Sequence, residues 1–486
     1  MRVRPRRASL GWPSRLAVIV AAAGIVACGA GPRRTNIVLI VVDDLGWRDV
    51  GFMGSRYYET PNIDRLADGG AAFTAAYANA PNCAPSRASL LTGLYPPRHG
   101  IYTVGDPERG DATRRALIPA SNRTALDTTF ATLAEAFRSL GYATAHVGKW
   151  HLGGVGSLPT DHGFDLNIAG DQRGHPPGYF YPYKRWQNQL QHLPGEGEPG
   201  EYLTDRLTDE ALRFIEQHRE RPFFLHLAHY AVHTPLQAKQ RLVDKYAGKS
   251  STPEHSDPVY AAMIESVDES VGRIVGKLAD LGLAERTAVV FFSDNGGYGP
   301  ATSMAPLRGS KGMLYEGGLR VPLVAYWPGM IPPGRTINQP VIGTDLYPTF
   351  LEMAGGRFEG EAWDGLSLLA LLTGEGRLPE RPLFWHFPAY LEADRSTPGP
   401  FRTAPAAAVR IGDYKLMEFF ETGALELYDL RADIGEQVNL VDSLPEVAAR
   451  LHETMVAWRA TVGAVVPSEA NPAYQPVSET AITRER

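Results

Sequence analysis

Ile37-Val38-Leu39-Ile40-Val41-Val42-Asp43-Asp44 is an unbroken row of apolar, largely β-branched residues that ends in two carboxylates. A run of strand length without polar alternation suits a strand covered on both faces by helices. Three further runs share this form. Tyr142–Val147 precedes Gly148-Lys149-Trp150-His151, Phe223–Ala228 leads through Tyr230 to His233-Thr234-Pro235, and Thr287–Ser293 ends at Asp294-Asn295-Gly296-Gly297. Helical patterns lie between them. Tyr260, Ile264, Val267, Val271, Ile274, Leu278 and Leu281 step alternately by four and three, with Gly282 as the stop signal, and Leu133–Leu140 precedes Gly141. The alternation predicts an α/β fold, a large doubly wound mixed sheet flanked by helices, with any ligand at the carboxyl ends of the strands. The polar clusters fall at those ends.

Near Pro379 the texture changes. Leu383–His386, Ala407–Ile411, Tyr414–Phe419 and Glu426–Leu430 read as short strands without intervening helices, and a helical stretch runs from Pro445 to Thr461. That order predicts a small C-terminal α+β subdomain, a short antiparallel sheet plus a helix. The expected division is a catalytic domain over 36–378, the subdomain over 379–463 and an extended or frayed tail over 464–486. Gly105–Asn122 and Gly170–Gly200 are rich in Gly, Pro and polar residues and read as loops over the sheet edge.

The chain carries 48 basic and 54 acidic residues, a net charge of −6. Its first 27 residues hold five arginines and no acid, so without them the balance is −11. An acidic protein has no general attraction for anionic polymers, which excludes a nucleic-acid binder and requires local positive charge for any anionic ligand. Leu16–Ala27 is apolar, of signal-peptide length and short for a membrane span. Its end, Ile25-Val26-Ala27-Cys28-Gly29, resembles the bacterial lipobox, which would make Cys28 the acylated first residue of a membrane-anchored lipoprotein. The other reading is an ordinary cleaved signal. Both readings export the protein, to the periplasm or cell surface. Cys28 and Cys83 are the only cysteines, so if both are modified no structural disulfide remains.

Asp43, Asp44, Asp294 and Asn295 offer carboxylate and amide oxygens alone, a set suited to a hard cation, Ca²⁺ or Mg²⁺, rather than zinc. Three carboxylates brought together would repel one another, and a divalent ion removes that repulsion. Each pair taken alone also reads as a polar turn.

Cys83-Ala84-Pro85-Ser86-Arg87-Ala88-Ser89-Leu90-Leu91-Thr92-Gly93 places a cysteine before a helix-starting proline, at the positive end of a helix where an anion is favoured. The string Cys-x-Pro-Ser-Arg-x-x-x-Leu-Thr-Gly resembles the signature of the type I, formylglycine-dependent sulfatases of the alkaline phosphatase superfamily. The resemblance implies that a formylglycine-generating enzyme oxidises Cys83 to an aldehyde whose hydrate attacks sulfate ester sulfur and later expels the sulfate. It also implies one Ca²⁺ held by Asp43, Asp44, Asp294, Asn295 and Cys83 as formylglycine; the residues themselves leave Mg²⁺ open.

Gly148-Lys149-Trp150-His151-Leu152-Gly153 resembles the second signature of that family. By the resemblance Lys149 binds sulfate oxygen and His151 is the base that drives release of sulfate. Arg87, one helical turn from Cys83, reaches the same oxygens. His233, in Ala231-Val232-His233-Thr234-Pro235, matches the leaving-group acid, and Lys311, before Tyr315-Glu316-Gly317-Gly318, matches the last sulfate-binding lysine. Lys149, His233 and Lys311 thus bind substrate as well. His386, in Phe384-Trp385-His386-Phe387-Pro388, is a further candidate to face the substrate. His99, His162, His175 and His226 receive no role. The likeness runs from Asn36 to about Trp458 and includes Gly412-Asp413-Tyr414-Lys415 and Glu426-Leu427-Tyr428-Asp429-Leu430. The expected activity is hydrolysis of sulfate monoesters, aryl sulfates in vitro and sulfated carbohydrates in nature. A phosphoric or phosphonic monoester hydrolase of the same superfamily is the alternative, and a non-catalytic sulfated-glycan-binding lipoprotein is a third reading.

Overall fold

The computed structural model describes residues 34–356, 363–397 and 399–476; the arginine-rich leader and Cys28 lie outside them. The main sheet is built from β1 (Asn36–Val42), β2 (Ala71–Tyr77), β3 (Ala143–Gly148), β4 (Leu166–Ile168), β5 (Phe223–Ala228), β6 (Thr287–Ser293), β7 (Arg320–Tyr326) and β8 (Arg335–Ile337). Their order is β8-β2-β7-β6-β1-β5-β3-β4, with a short ninth strand, Val341–Ile342, also paired to β2. Strand β7 runs antiparallel to both of its neighbours, β2 and β6, while the other pairs are parallel, so the sheet is mixed.

Strand β1 lies in the middle, and its side chains divide two cores. Val38, Ile40 and Val42 pack in one cluster with Ile63 and Leu66 of α1 (Pro61–Gly69), Leu207, Ala211 and Phe214 of α4 (Leu203–Gln217) and Val267, Val271 and Ile274 of α5 (Pro258–Asp280). Ile37, Leu39 and Val41 pack on the opposite face with Ala84, Ala88 and Leu91 of α2 (Cys83–Thr92) and Phe137 of α3 (Leu133–Ser139). Period-2 alternation on a strand sends consecutive residues to opposite faces, so a strand apolar on both must be covered on both. Each fully buried Val, Ile or Leu is worth about 1.5–3 kcal/mol, so a charge at Ile40 or Val271 would open one of the two cores. Helix α5 starts at Pro258, where Asp257 accepts from the Val259 and Tyr260 amides at 2.9 and 3.0 Å. Caps of this type contribute about 1 kcal/mol.

A separate antiparallel sheet of four strands follows, β9 (Leu383–Phe387), β10 (Ala406–Ile411), β11 (Tyr414–Phe419) and β12 (Ala424–Asp429), in sequence order. Helix Pro445–Val462 lays Ala448, Leu451 and Met455 on it beside Ala408 and Leu416. Of the two expectations for the tail, extended or frayed, the described part to residue 476 is extended. Up to residue 476 it is tied along the Gly105–Asn122 loop, where the Ile118 amide donates to Glu469 and the Gln475 amide to Thr113, both at 2.8 Å. Among the described residues no helix is long and apolar enough to cross a membrane.

Candidate active site

Asp43 and Asp44 follow β1, Lys149 and His151 follow β3, His233 lies five residues beyond β5, and Asp294 and Asn295 follow β6. All are carboxyl ends of parallel strands. Hydrogen bonding continues past those ends and fixes the first carboxylate. The Asp43 amide donates to Ala231 O at 2.9 Å, and the Val232 amide donates back to Asp43 O at 2.7 Å. Asp44 then takes a left-handed backbone (φ 63°), which Asp tolerates better than most residues. Helix α2 begins at Cys83 with Asn82 as its cap and is buried along its whole length. Cys83 therefore sits where unpaired helix amides concentrate positive charge.

The side chains converge. Cys83 Sγ lies 3.5 Å from Asp43 Oδ1 and 4.0 Å from Asp44 Oδ1. Arg87 Nε donates to Asp294 Oδ2 at 2.7 Å, its Nη1 donates to Lys149 O at 2.9 Å, and its Nη2 points toward Asp43, 4.0 Å away. Lys149 Nζ donates to Asp43 Oδ2, and Lys311 Nζ donates to Asp44 Oδ2 at 2.7 Å. Asn295 Nδ2 donates to Asp44 Oδ1 at 2.8 Å. His233 Nε2 is 3.6 Å from Asp44 Oδ2, while its Nδ1 faces Thr234 O at 2.9 Å. His151 is held by its amide on Asp171 O at 2.9 Å and by Gly174, where a Cβ would come within 2.5 Å of the imidazole ring. Its Nδ1 has no hydrogen-bond partner.

Burial and neighbouring charge set the protonation states. Burial, then Asp43, push the Cys83 thiol up to about 12. Asp43 is raised to about 8, first by burial and then by Asp294 and Asp44, against the pull of Lys149. Asp44 is driven the other way, because Lys311 and His233 outweigh its burial. His151 is held well below the usual imidazole range by burial and then by Lys149 and Arg87. His233 is lowered by burial and Lys311, with Asp44 opposing. The pattern is that of crowded, buried carboxylates set against buried cations, beside imidazoles whose charged form burial disfavours.

A divalent cation fits this set. Ligand atoms of Asp43, Asp44, Cys83 and His233 all lie within 4.8 Å of one another. Asp294 touches the Asp44 amide at 3.3 Å, and Asn295 Oδ1 is buried without any hydrogen-bond partner. An orphaned amide oxygen beside three buried carboxylates is a ligand set for a hard ion.

Above these groups opens a cavity of about 260 Å³ lined by Cys83, Asp44, His151, His233 and Lys311. Arg109, His175, Tyr298 and Arg402 also line it, and none of them was given a role from the sequence. Two of the four come from segments legible as loops over the sheet edge, Gly105–Asn122 and Gly170–Gly200. His99, His162 and His226 are buried on internal partners, Ser89, Ser157 and His146, at 3.0–3.1 Å. His386 is not brought to the cavity. It sits on β9, buried, with Nε2 on Val465 O at 2.8 Å and rings of Tyr102, Phe420 and Trp458 around it. An expectation that it faces the substrate is corrected by that burial.

The model of the family described as Sulfatase matches residues 35–356, and that described as N-sulphoglucosamine sulphohydrolase, C-terminal, matches 310–461. The chain is 33% identical to a sulfatase of Formosa agariphila, covering 88% of this chain and 89% of that one. It is 37% identical to the N-acetylgalactosamine-6-sulfatase of Canis lupus familiaris, over 79% of this chain and 73% of the relative. The crystal structure of Ps i-CgsB in complex with k-i-k-neocarrahexaose superposes with a TM-score of 0.73 at 30% identity, covering 93% of this chain and 96% of that one. With a family match that spans all four strand-end clusters and the cysteine-led helix, the chain belongs to the sulfatase family and is a hydrolase of sulfate monoesters.

Proposed function

We propose that the substrate is a sulfated carbohydrate and that hydrolysis uses formylglycine made from Cys83 together with a resident calcium ion. The observation that carries this reading is the buried Cys83 itself, which touches Asp43 and Asp44, shares one cavity with His151, His233 and Lys311, and lies within the field of Arg87 and Lys149. A thiol pushed up to about 12 stays protonated and is a poor nucleophile. Formylglycine supplies a hydroxyl nucleophile at that position, and calcium supplies positive charge for the sulfate oxygens. The cation would be held by Asp43, Asp44, Asp294 and Asn295.

The chain's own residues bind, orient and move protons. Lys149 and Lys311 bring two ammonium groups to the site of an arriving sulfate. Arg87, locked between Asp294 and the Lys149 carbonyl, holds the residue at position 83 in one orientation. His151, kept neutral by burial and by Lys149, can accept a proton from a hydroxyl at that position. His233 directs Nε2 toward the cavity floor and its Nδ1 hydrogen bonds Thr234 O. An incoming sulfate offsets the positive charge of Lys311, which raises the basicity of His233 and lets it protonate the departing alcohol. Export follows from the leader, and acylated Cys28 would anchor the protein to a membrane.

Sulfate and phosphate esters present similar tetrahedral oxygens, so paired kcat/KM measurements on nitrophenyl sulfate and nitrophenyl phosphate test the reading. The sulfate should be preferred by at least about a hundredfold, roughly 3 kcal/mol. Preference for the phosphate would favour the phosphoric or phosphonic ester alternative.

A further inference from the structure

Beside the catalytic cavity lies a second cavity, of about 330 Å³, bounded by His175, Pro176, Arg185, Trp186, Asn188 and Thr234. The two share a wall, because His175 and Thr234 line both. The His175 and His233 rings are nearly parallel, 10° apart with centroids at 6.1 Å, so the second space begins one ring away from the proposed leaving-group acid. A group bonded to the alcohol side of the ester would therefore extend toward it.

Trp186 is the largest of the strongly exposed apolar side chains among the described residues, at 82%. It stands at the tip of a hairpin that pairs Lys184-Arg185 with Asn188-Gln189. Its backbone is left-handed (φ 53°), a conformation that a bulky residue adopts at a cost and that Gly or Asn would fill with less strain. Strain at an exposed indole points to a use for the ring rather than to packing. The Arg185 guanidinium lies 4.7 Å from the ring centroid, holding the indole in place and leaving a donor-rich edge next to it. Asn188 Oδ1 accepts from Arg173 Nε at 3.1 Å, which ties the hairpin to the loop bearing Gly174 and His175.

We propose that this hairpin is a binding subsite for the sugar ring adjoining the sulfated one. The apolar face of a pyranose would stack on Trp186, and its hydroxyls or a neighbouring acidic group would meet Arg185 and Asn188. The enzyme would then favour oligosaccharides over sulfated monosaccharides. This inference rests on the carbohydrate reading of the site.

The test uses the metal-loaded, Cys83-modified enzyme on three probes: nitrophenyl sulfate, N-acetylgalactosamine 6-sulfate, and a tetrasaccharide carrying the same sulfated sugar. κ-Neocarratetraose and its sulfated monosaccharide serve as a second matched pair. Trp186→Ala should lower kcat/KM on the tetrasaccharides about tenfold, mainly through KM, and leave the monosaccharides and nitrophenyl sulfate within twofold. Trp186→Phe should recover most of the loss, since it keeps an aromatic face. Trp186→Asn should lose the preference for length while unfolding at an equal or higher temperature, which a merely structural role for the indole would not allow. Turnover of the saccharides with no length-dependent loss in Trp186→Ala overturns the subsite and leaves the carbohydrate reading standing. Turnover of nitrophenyl sulfate with none of the saccharides by the parent enzyme overturns the carbohydrate reading, and the subsite with it.

Discussion

Replacing Lys415 by Met should unfold this protein several degrees early. Its Nζ is fully buried and donates to Glu316 Oε1 at 3.1 Å and Glu436 Oε1 at 2.8 Å, both also fully buried. At an effective dielectric of about 20, those two attractions amount to about 5 and about 6 kcal/mol before desolvation is subtracted. Removing one partner of a buried ion pair costs about 3–5 kcal/mol, because the remaining charge keeps its desolvation penalty. For a chain of this length the unfolding entropy is about 1 kcal/mol/K, so Tm should fall by about 3–5 °C. The size should depend on pH. Glu436 is raised to about 7, by burial against the pull of Lys415, whereas an unfolded glutamate titrates near 4.3. Because the folded value is the higher one, the stability tied to its protonated form is complete below about 4.3 and disappears as pH climbs through about 7. Without Lys415 the folded value rises further, so the deficit should be larger at pH 8 than at pH 5.5. Thermal unfolding followed by circular dichroism at the two pH values measures this. Adding Glu436→Gln should recover part of the loss at pH 8. A Tm within 1 °C of the parent at pH 8, or a deficit that grows toward acid, would refute the reasoning. Turnover should drop with stability, since the Glu316 amide donates to Glu436 Oε2 at 2.7 Å just five residues beyond Lys311.

Stripping divalent ions with a chelator should abolish activity and lower Tm, with calcium restoring both; zinc in the active protein, or full activity without metal, would contradict the assigned ligands. His233→Ala should keep far more activity on nitrophenyl sulfate than on alkyl or sugar sulfates, by about 10²–10³, because only the poorer leaving groups need the proton. An unchanged dependence on leaving-group pKa would move that role to another residue, Lys311 first. Cys28→Ala should shift the protein from membranes to the soluble fraction, and equal partitioning of the two forms would leave Cys28 without an anchoring role.

The four strands that bear the site were legible because each is a continuous apolar row stopped by polar residues. Phe223–Ala228, Thr287–Ser293 and Tyr414–Phe419 match their observed bounds. Strands β2 and β7 were not legible. Ala71–Tyr77 is alanine-rich with no β-branched row, and Arg320–Tyr326 begins with a buried arginine and contains Pro322. Their antiparallel pairing is a long-range choice that local pattern does not encode. The side chains of the site were named by motif, but the pairings that fix them were not. Arg87 meets Asp294 across 207 positions, and Lys415 meets Glu316 across 99. The flank of His386 is apolar because it is a strand in a core, which reads the same in sequence as a wall beside a substrate. His175 had no distinguishing neighbour; only the fold of its loop sets it against His233.

The central claim is that Cys83 acts as formylglycine and not as a thiol. It is tested by peptide mass spectrometry of residue 83 alongside kcat on nitrophenyl sulfate, in preparations made with increasing amounts of formylglycine-generating enzyme. Activity should rise in proportion to the modified fraction and extrapolate to zero where every Cys83 is a thiol, with Cys83→Ala inactive yet folded. Full turnover from protein whose Cys83 is entirely thiol would contradict the account.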